Sequence, residues 1–308
     1  MSAIKMTHPR LTKPMIISLV GLMVLGLAFF LTIRLVTGRI LGPRSLMSFG
    51  LSILNSSDVT DSSQGDFKNV IFLHQSVGRG LIDQGHVREI LTKNGYRFWD
   101  HDYNQPGLRG PDGKYLGYGY NVPANNTYPD GLSEIFAQPV YSLPFNTFSG
   151  LLQHETIILK SCFPTSNITS DEQLEQKKQW YLSIRQTIDQ HPNKLFIVVT
   201  QPPLNPAETN LEDAARARAL ANWLKSEEYL QGHPNLLTFD LFGYLAEDDP
   251  TSSDYNMLRE DYREGADSHP NKLANETIGP LLADFIMEGV QTYQLLSPSS
   301  PSLTSQQE

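Results

Sequence analysis

Val70–Leu81 reads VIFLHQSVGRGL, and the organisation of the chain follows from it. Val70 to Leu73 is a short apolar run, as expected of a parallel strand buried on both faces. The run stops at His74, Gln75, Ser76, Val77, Gly78, Arg79 and Gly80. Beyond the glycines, Leu81, Ile82, Val87, Ile90 and Leu91 recur at roughly three- and four-residue spacing, which predicts a helix over 80–94. A serine on the turn between a first strand and a first helix has two readings. Its hydroxyl can be a nucleophile, with free N–H groups of the helix N-terminus, Val77 included, aimed at an oxyanion. It can equally be a cap for that helix.

Outward from this stretch, apolar runs alternate with helical patterns. Strands are expected at 96–99, 156–159 (TIIL), 195–200 (LFIVVT) and 236–239. Helices are expected at 171–190, 211–225 and 273–288. Strands separated by helices of this length imply βαβ units and a parallel sheet covered on both faces. In such sheets, sites gather at the carboxyl ends of the strands. Polar residues follow nearly every strand here: His74 and Ser76, Asp100, Lys160 and Ser161, Gln201, Asp240. They form an expected rim, with His74 and Lys160 as candidate substrate-binding groups.

Residues 101–152 hold no regular pattern for long and are dense in Gly, Pro, Asn and Tyr. A structureless loop of this length is unusual and often functional. Tyr103, Tyr115, Tyr118 and Tyr120 would then wall the strand ends, suited to stacking on sugar rings. The other reading is a surface loop packed by its own aromatics.

Met15–Ile33 carries no charge over nineteen residues, close to the ~20 that cross a hydrocarbon layer as a helix. A cleaved signal peptide would have a shorter apolar core and a small-residue cleavage site. None follows here, so 15–36 is expected to be a transmembrane helix after a cytoplasmic segment, 1–14. Lys5, Arg10 and Lys13 before the span are balanced by Arg34, Arg39 and Arg44 after it. With the bulk of the chain after a single span, the domain is expected outside the cytoplasm. Residues 37–66, rich in Ser, Asn, Asp and Gly from Gly42 on, read as a linker. The domain is expected over 67–294, and the Ser/Pro-rich 295–308 as a disordered tail.

The 308 residues are 40% hydrophobic, with a net charge of -9, which argues against nucleic acid as a partner. The single cysteine, Cys162, excludes an intrachain disulfide. No histidine or acidic pair has a recognised metal-ligand spacing. Nor is there a G-x-S-x-G elbow, since only Gly78 of its two glycines is present.

Near the C-terminus stands Gly265-Ala266-Asp267-Ser268-His269-Pro270-Asn271. A histidine beside a serine hydroxyl can act as general base and then acid, with a carboxylate fixing its tautomer. In extended chain Asp267 and His269 would point to one side. The same residues also suit a plain turn.

Four stretches together resemble the SGNH, or GDSL-like, hydrolase superfamily: FLHQSVG, IILKSCFPTSN, FIVVTQPPLNP and DSHPN. The resemblance implies a three-layer α/β/α sandwich with a mostly parallel, flavodoxin-like sheet. It implies hydrolysis of acyl esters, often on carbohydrates or lipids, without a cofactor. Ser76 matches the family nucleophile and His269 its base. The usual Gly-Asp-Ser is His74-Gln75-Ser76 here, and Asp267 lies two rather than three residues before His269, leaving Asp261 and Glu264 as reserve acids. The block that carries the oxyanion asparagine is replaced by Lys160-Ser161-Cys162. Val77, Ser161, Asn167 and Gly117 are the remaining oxyanion candidates. Taken with the N-terminal span, the resemblance implies a membrane-anchored serine esterase. The same fold could instead be a non-catalytic glycan-binding module or a carbohydrate O-acyltransferase.

Overall fold

The computed structural model describes residues 13–102 and 107–296. Six strands form one sheet: β1 (Asn69–Leu73), β2 (Arg97–His101), β3 (Leu108–Arg109), β4 (Thr156–Lys160), β5 (Leu195–Val199) and β6 (Leu236–Phe239). The order is β3-β2-β1-β4-β5-β6, parallel throughout except for the antiparallel edge strand β3. The five parallel strands therefore have the flavodoxin-like order, with the direction of winding reversing between β1 and β4. Each central strand divides its side chains between two cores. Ile71, Leu73, Ile157, Leu159, Phe196 and Val198 face the helices Pro129–Phe136 and Asp171–Ile188. Val70, Phe72, Ile158, Ile197 and Val199 face the helices Ser76–Asp83, Val87–Lys93 and Lys272–Leu296. Both faces are covered, so the architecture is the expected three-layer α/β/α sandwich.

The helix expected over 80–94 is broken in two. Gly85 packs backbone to backbone on Gly279 of the closing helix, where a Cβ would stand 2.8 Å from the Gly279 Cα. His86 then takes a left-handed φ of 58°, which no α-helix can carry through. The expected structureless stretch 101–152 contains β3 and two helices, Pro129–Phe136 and Thr147–Leu151. The first has a proline at its N-terminus, and the second is capped by Asn146, whose side chain accepts from Ser149 N–H.

At the N-terminus, the helix Lys13–Thr37 includes a stretch, Val20–Thr37, long and apolar enough to cross a membrane. The segment expected as a linker is instead largely helical, at Pro43–Leu54 and Ser56–Thr60. Val59 is fully inside the core, and its carbonyl accepts from the Asn69 side chain at the head of β1. A fragment starting at Phe67 would lose that lid on the core. The tail from Ser297 onward lies outside the described residues, as do residues 1–12 and Tyr103.

Candidate active site

Ser76 sits just past the end of β1, beside the point where the winding of the sheet reverses. Gln75, in extended backbone, occupies the N-cap position with no side-chain cap bond. Ser76 is thus the first helical residue and not the cap. Its Oγ lies 2.6 Å from His269 Nε2, across 193 residues of sequence.

The turn is clamped from both sides. The fully buried Gln75 donates Nε2 to the Asn126 carbonyl and side-chain oxygens, at 3.0 and 2.9 Å. Its Oε1 accepts from Lys160 Nζ at 3.3 Å, and Lys160 also donates to the Ser161 carbonyl at 2.9 Å. Burial lowers the Lys160 pKa. Below the turn, buried Asp100 meets His74 Nε2 at 3.0 Å and Arg109 Nε at 2.9 Å, and also pairs with Arg88. Arg109 reaches on to Asp83 at 2.8 Å. Burial pulls the His74 pKa down to about 4. Both its nitrogens face oxygens, Asp100 and the Gln75 carbonyl, an arrangement suited to imidazolium. Two guanidiniums already balance Asp100, however, so the charge balance favours the neutral ring donating from Nε2. Gly78 rests directly on this histidine: a Cβ there would lie 2.4 Å from His74 Cβ.

His269 comes from the loop before the closing helix. Asp267 Oδ1 accepts from the His269 backbone N–H at 2.8 Å and from its Nδ1–H at 2.6 Å. The reach comes from a turn closed by the aspartate, not from extended chain. Hydrogen bonding from His269 is the largest of the effects that lower the Asp267 pKa, so the carboxylate stays ionised into mild acid. Asp261 is paired with Arg259 instead, and Glu264 is exposed. The Phe163 ring meets the His269 ring edge-on at 4.9 Å.

The loop itself is held by residues that carried no assignment in the sequence. Asn205, after β5, donates Nδ2 to the carbonyls of Gly265 and Asp267, both at 3.1 Å. Its backbone N–H donates to Ser268 Oγ at 2.8 Å, and Ser268 in turn donates to Glu208. The stretch FIVVTQPPLNP contained this signal, because a buried asparagine after a strand end must find partners.

The other candidates are dispersed. Val77 is buried on the first turn, where backbone N–H groups lack intrahelical acceptors. The Ser161 hydroxyl is turned to the Tyr181 hydroxyl at 3.0 Å. Asn167 is exposed, in a groove beside Trp180. Gly117 stands on an open surface turn with φ +76°. His74 and Lys160 are enclosed in the networks above, so neither can meet a substrate directly. Tyr118 and Tyr120 are buried too, and Tyr120 bonds His154 at 3.0 Å. They pack the core and form no wall over the strand ends. Cys162 is also buried.

Two further buried histidines make the fold sensitive to acid. His101 donates Nδ1–H to the Asp102 carbonyl at 2.5 Å and accepts from Tyr120 N–H at 2.9 Å. His154 donates from Nδ1 to Asn69 Oδ1 at 3.0 Å and accepts the Tyr120 hydroxyl. The Tyr120 N–H can only donate to His101, which fixes that ring as neutral, and burial holds His154 neutral. Burial pushes His101 down to about 4 and His154 well below the ordinary value. Above ~6.5, the unfolded histidine pKa, their contribution to stability is whole. As pH falls from there toward 4, the unfolded chain takes up protons that the fold refuses, and stability is lost. For His101 alone the loss is on the order of 3 kcal/mol. Calorimetric unfolding near pH 5, in two buffers of different ionisation heat, should therefore show uptake of about three protons, one each for His74, His101 and His154. No uptake would mean that these rings are already charged in the fold.

No family model matches this chain, and no curated protein does. Among solved structures, it is similar to that of a proposed acylhydrolase from Bacteroides fragilis NCTC 9343. The two share 12% sequence identity over 72% of this chain and 87% of the other, with a TM-score of 0.43. At that distance the likeness bears on neither the activity nor the role of any residue.

Proposed function

We propose that the chain is a serine hydrolase of SGNH type that cleaves acyl esters. In this reading it is held at a membrane by its N-terminal helix, with the domain outside the cytoplasm. The observation that carries the proposal is the relay of two 2.6 Å bonds, Ser76 to His269 and His269 to Asp267. Each atom has the role the chemistry needs. His269 Nε2 takes the Oγ proton as Ser76 attacks the ester carbonyl, and Nδ1–H stays on Asp267, which supports the imidazolium. First-turn N–H groups at Ser76 and Val77 receive the oxyanion. His269 returns the proton to the leaving alcohol, and water repeats the cycle on the acyl-enzyme.

A groove of about 380 Å³ lies against Pro164, next to the Phe163 that touches His269. Tyr128 and Trp180 offer ring faces there, among Asn167, Thr169 and Gln173. Aromatic faces among amides and hydroxyls suit a sugar, so the groove is assigned to the carbohydrate part of the ester. Trp180→Ala should raise KM for an acylated oligosaccharide about tenfold and leave a short aryl ester unaffected. Equal effects on both substrates would remove the groove from the assignment.

The direct test is covalent. Ser76 Oγ should attack a fluorophosphonate at phosphorus, giving its proton to His269 and expelling fluoride, and the phosphonyl adduct should map to the Ser76 peptide by mass spectrometry. Labelling with acyl transfer to an added sugar in preference to water would make the protein an acyltransferase. Retained glycan binding with neither labelling nor turnover would make it a binding module.

A further inference from the structure

The Pro43–Leu54 helix turns serines as well as apolar side chains to the domain and leaves two large apolar side chains, Met47 and Leu54, in the open. A helix on a soluble domain turns its apolar stripe inward and its small polar residues to water. Here Ser48 and Ser52, and Ser56 at the start of the next helix, are turned to the domain. Ser48 Oγ exchanges bonds with the Gly119 backbone, accepting N–H at 2.9 Å and donating to the carbonyl at 3.3 Å. Ser56 Oγ accepts from Gln153 Nε2 at 2.9 Å. Phe49 is the one large side chain of the helix that is buried, and Leu51 packs partly buried against the core. The opposite face carries Met47, 62% exposed, and Leu54, 78% exposed, two turns apart on one line. Ile40, 65% exposed, precedes them, and exposed Arg44 lies one turn before Met47.

The place of the helix says what covers that face. Five residues separate the end of the Lys13–Thr37 helix from Pro43, a span of at most about 22 Å. The junction is closed: Thr37 is buried, and Arg39 Nη1 donates to the Asn121 carbonyl at 2.7 Å. These contacts hold the end of the Lys13–Thr37 helix against the domain.

We propose that the outward face of the Pro43–Leu54 helix lies in the interfacial layer of the same bilayer, with Met47 and Leu54 among the upper acyl chains. Arg44 then stands at headgroup level, its stem along the apolar layer and its guanidinium on lipid phosphate. The catalytic domain is docked on the membrane by this surface as well as tethered to it. The inference rests on the reading of the N-terminal helix as a membrane span.

The test uses the full-length protein reconstituted in phosphatidylcholine–phosphatidylglycerol vesicles. Met47→Cys and Leu54→Cys are each labelled with an environment-sensitive fluorophore. Leu25→Cys reports the span, and Glu228→Cys is the exposed reference. The buried Cys162 stays in place, with mock-labelled wild type as control. Lipids brominated high on the acyl chain should quench positions 47 and 54 at least twofold and leave position 228 unchanged, while lipids brominated deep should quench position 25. If position 25 is quenched but 47 and 54 respond like 228, the span stands and the docked face is overturned. A blue-shifted emission at 47 and 54 without bromine quenching overturns it as well, because a protein surface would then cover the face. An unquenched position 25 overturns the span and the inference together.

Discussion

Ser76→Ala should abolish ester turnover, with a loss of at least about 10⁴-fold in kcat, and leave the melting temperature within a degree or two of wild type. The two halves of this expectation come from one piece of geometry. A serine at a helix start is often a cap, and removing a cap costs about 1 kcal/mol. Here Gln75 holds the N-cap position, and the Ser76 hydroxyl points across the molecule to His269 at 2.6 Å. The turn is fixed by the Gln75 clamp and by Gly78 on His74, none of which involves Oγ. In the proposed mechanism alanine therefore removes the nucleophile and little of the structure. His269→Ala should cost about as much, and the double variant scarcely more, because the two act as one unit. A Ser76→Ala protein that melts normally and still turns over substrate at the wild-type rate would end the serine mechanism.

Much of the sheet could be read in the sequence because its strands are buried on both faces. VIFL, TIIL and LFIVV are continuous apolar runs, separated by helices long enough to show their period. That Ser76, His269 and Asp267 would meet could be expected because each stands in a short polar break with few rivals. What supports them could not. The Gln75 clamp joins residues 51 and 85 positions away, and its chemistry is plain only once Asn126 and Lys160 are beside it. Tyr118 and Tyr120 show the same limit from the other side. A Gly- and Tyr-rich stretch has one composition whether its rings face solvent or core, and here His101 and His154 draw Tyr120 inward. The 37–66 segment reads as a linker because it is rich in Ser, Asn, Asp and Gly, whereas its helices turn serines together with Phe49 and Leu51 toward the domain.

Asp267→Asn should reduce kcat by about 10²-fold with little change in KM, short of the ~10⁴-fold that follows when an asparagine forces the wrong histidine tautomer in a serine protease. The difference lies in how the acid is used. In the protease the amide cannot avoid presenting a donor to the ring. Here one oxygen, Oδ1, accepts from both the His269 backbone N–H and Nδ1–H, and the Asp267 side chain is 60% exposed. An asparagine can place its carbonyl where Oδ1 stands and turn its NH₂ to water. The loop is also held from beneath by Asn205, so the turn keeps its shape. The proton stays on Nδ1, and what is lost is the negative charge that supports the imidazolium. Asp267→Ala removes the acceptor as well and frees the ring, so its loss should approach that of His269→Ala. The check is the ratio of the two variants: alanine should be at least tenfold worse than asparagine, at equal KM. Equal losses would mean that the amide turns its donor inward, and that tautomer, not charge, is what Asp267 controls. If neither variant is impaired, the acid is not Asp267, and exposed Glu264 becomes the residue to replace.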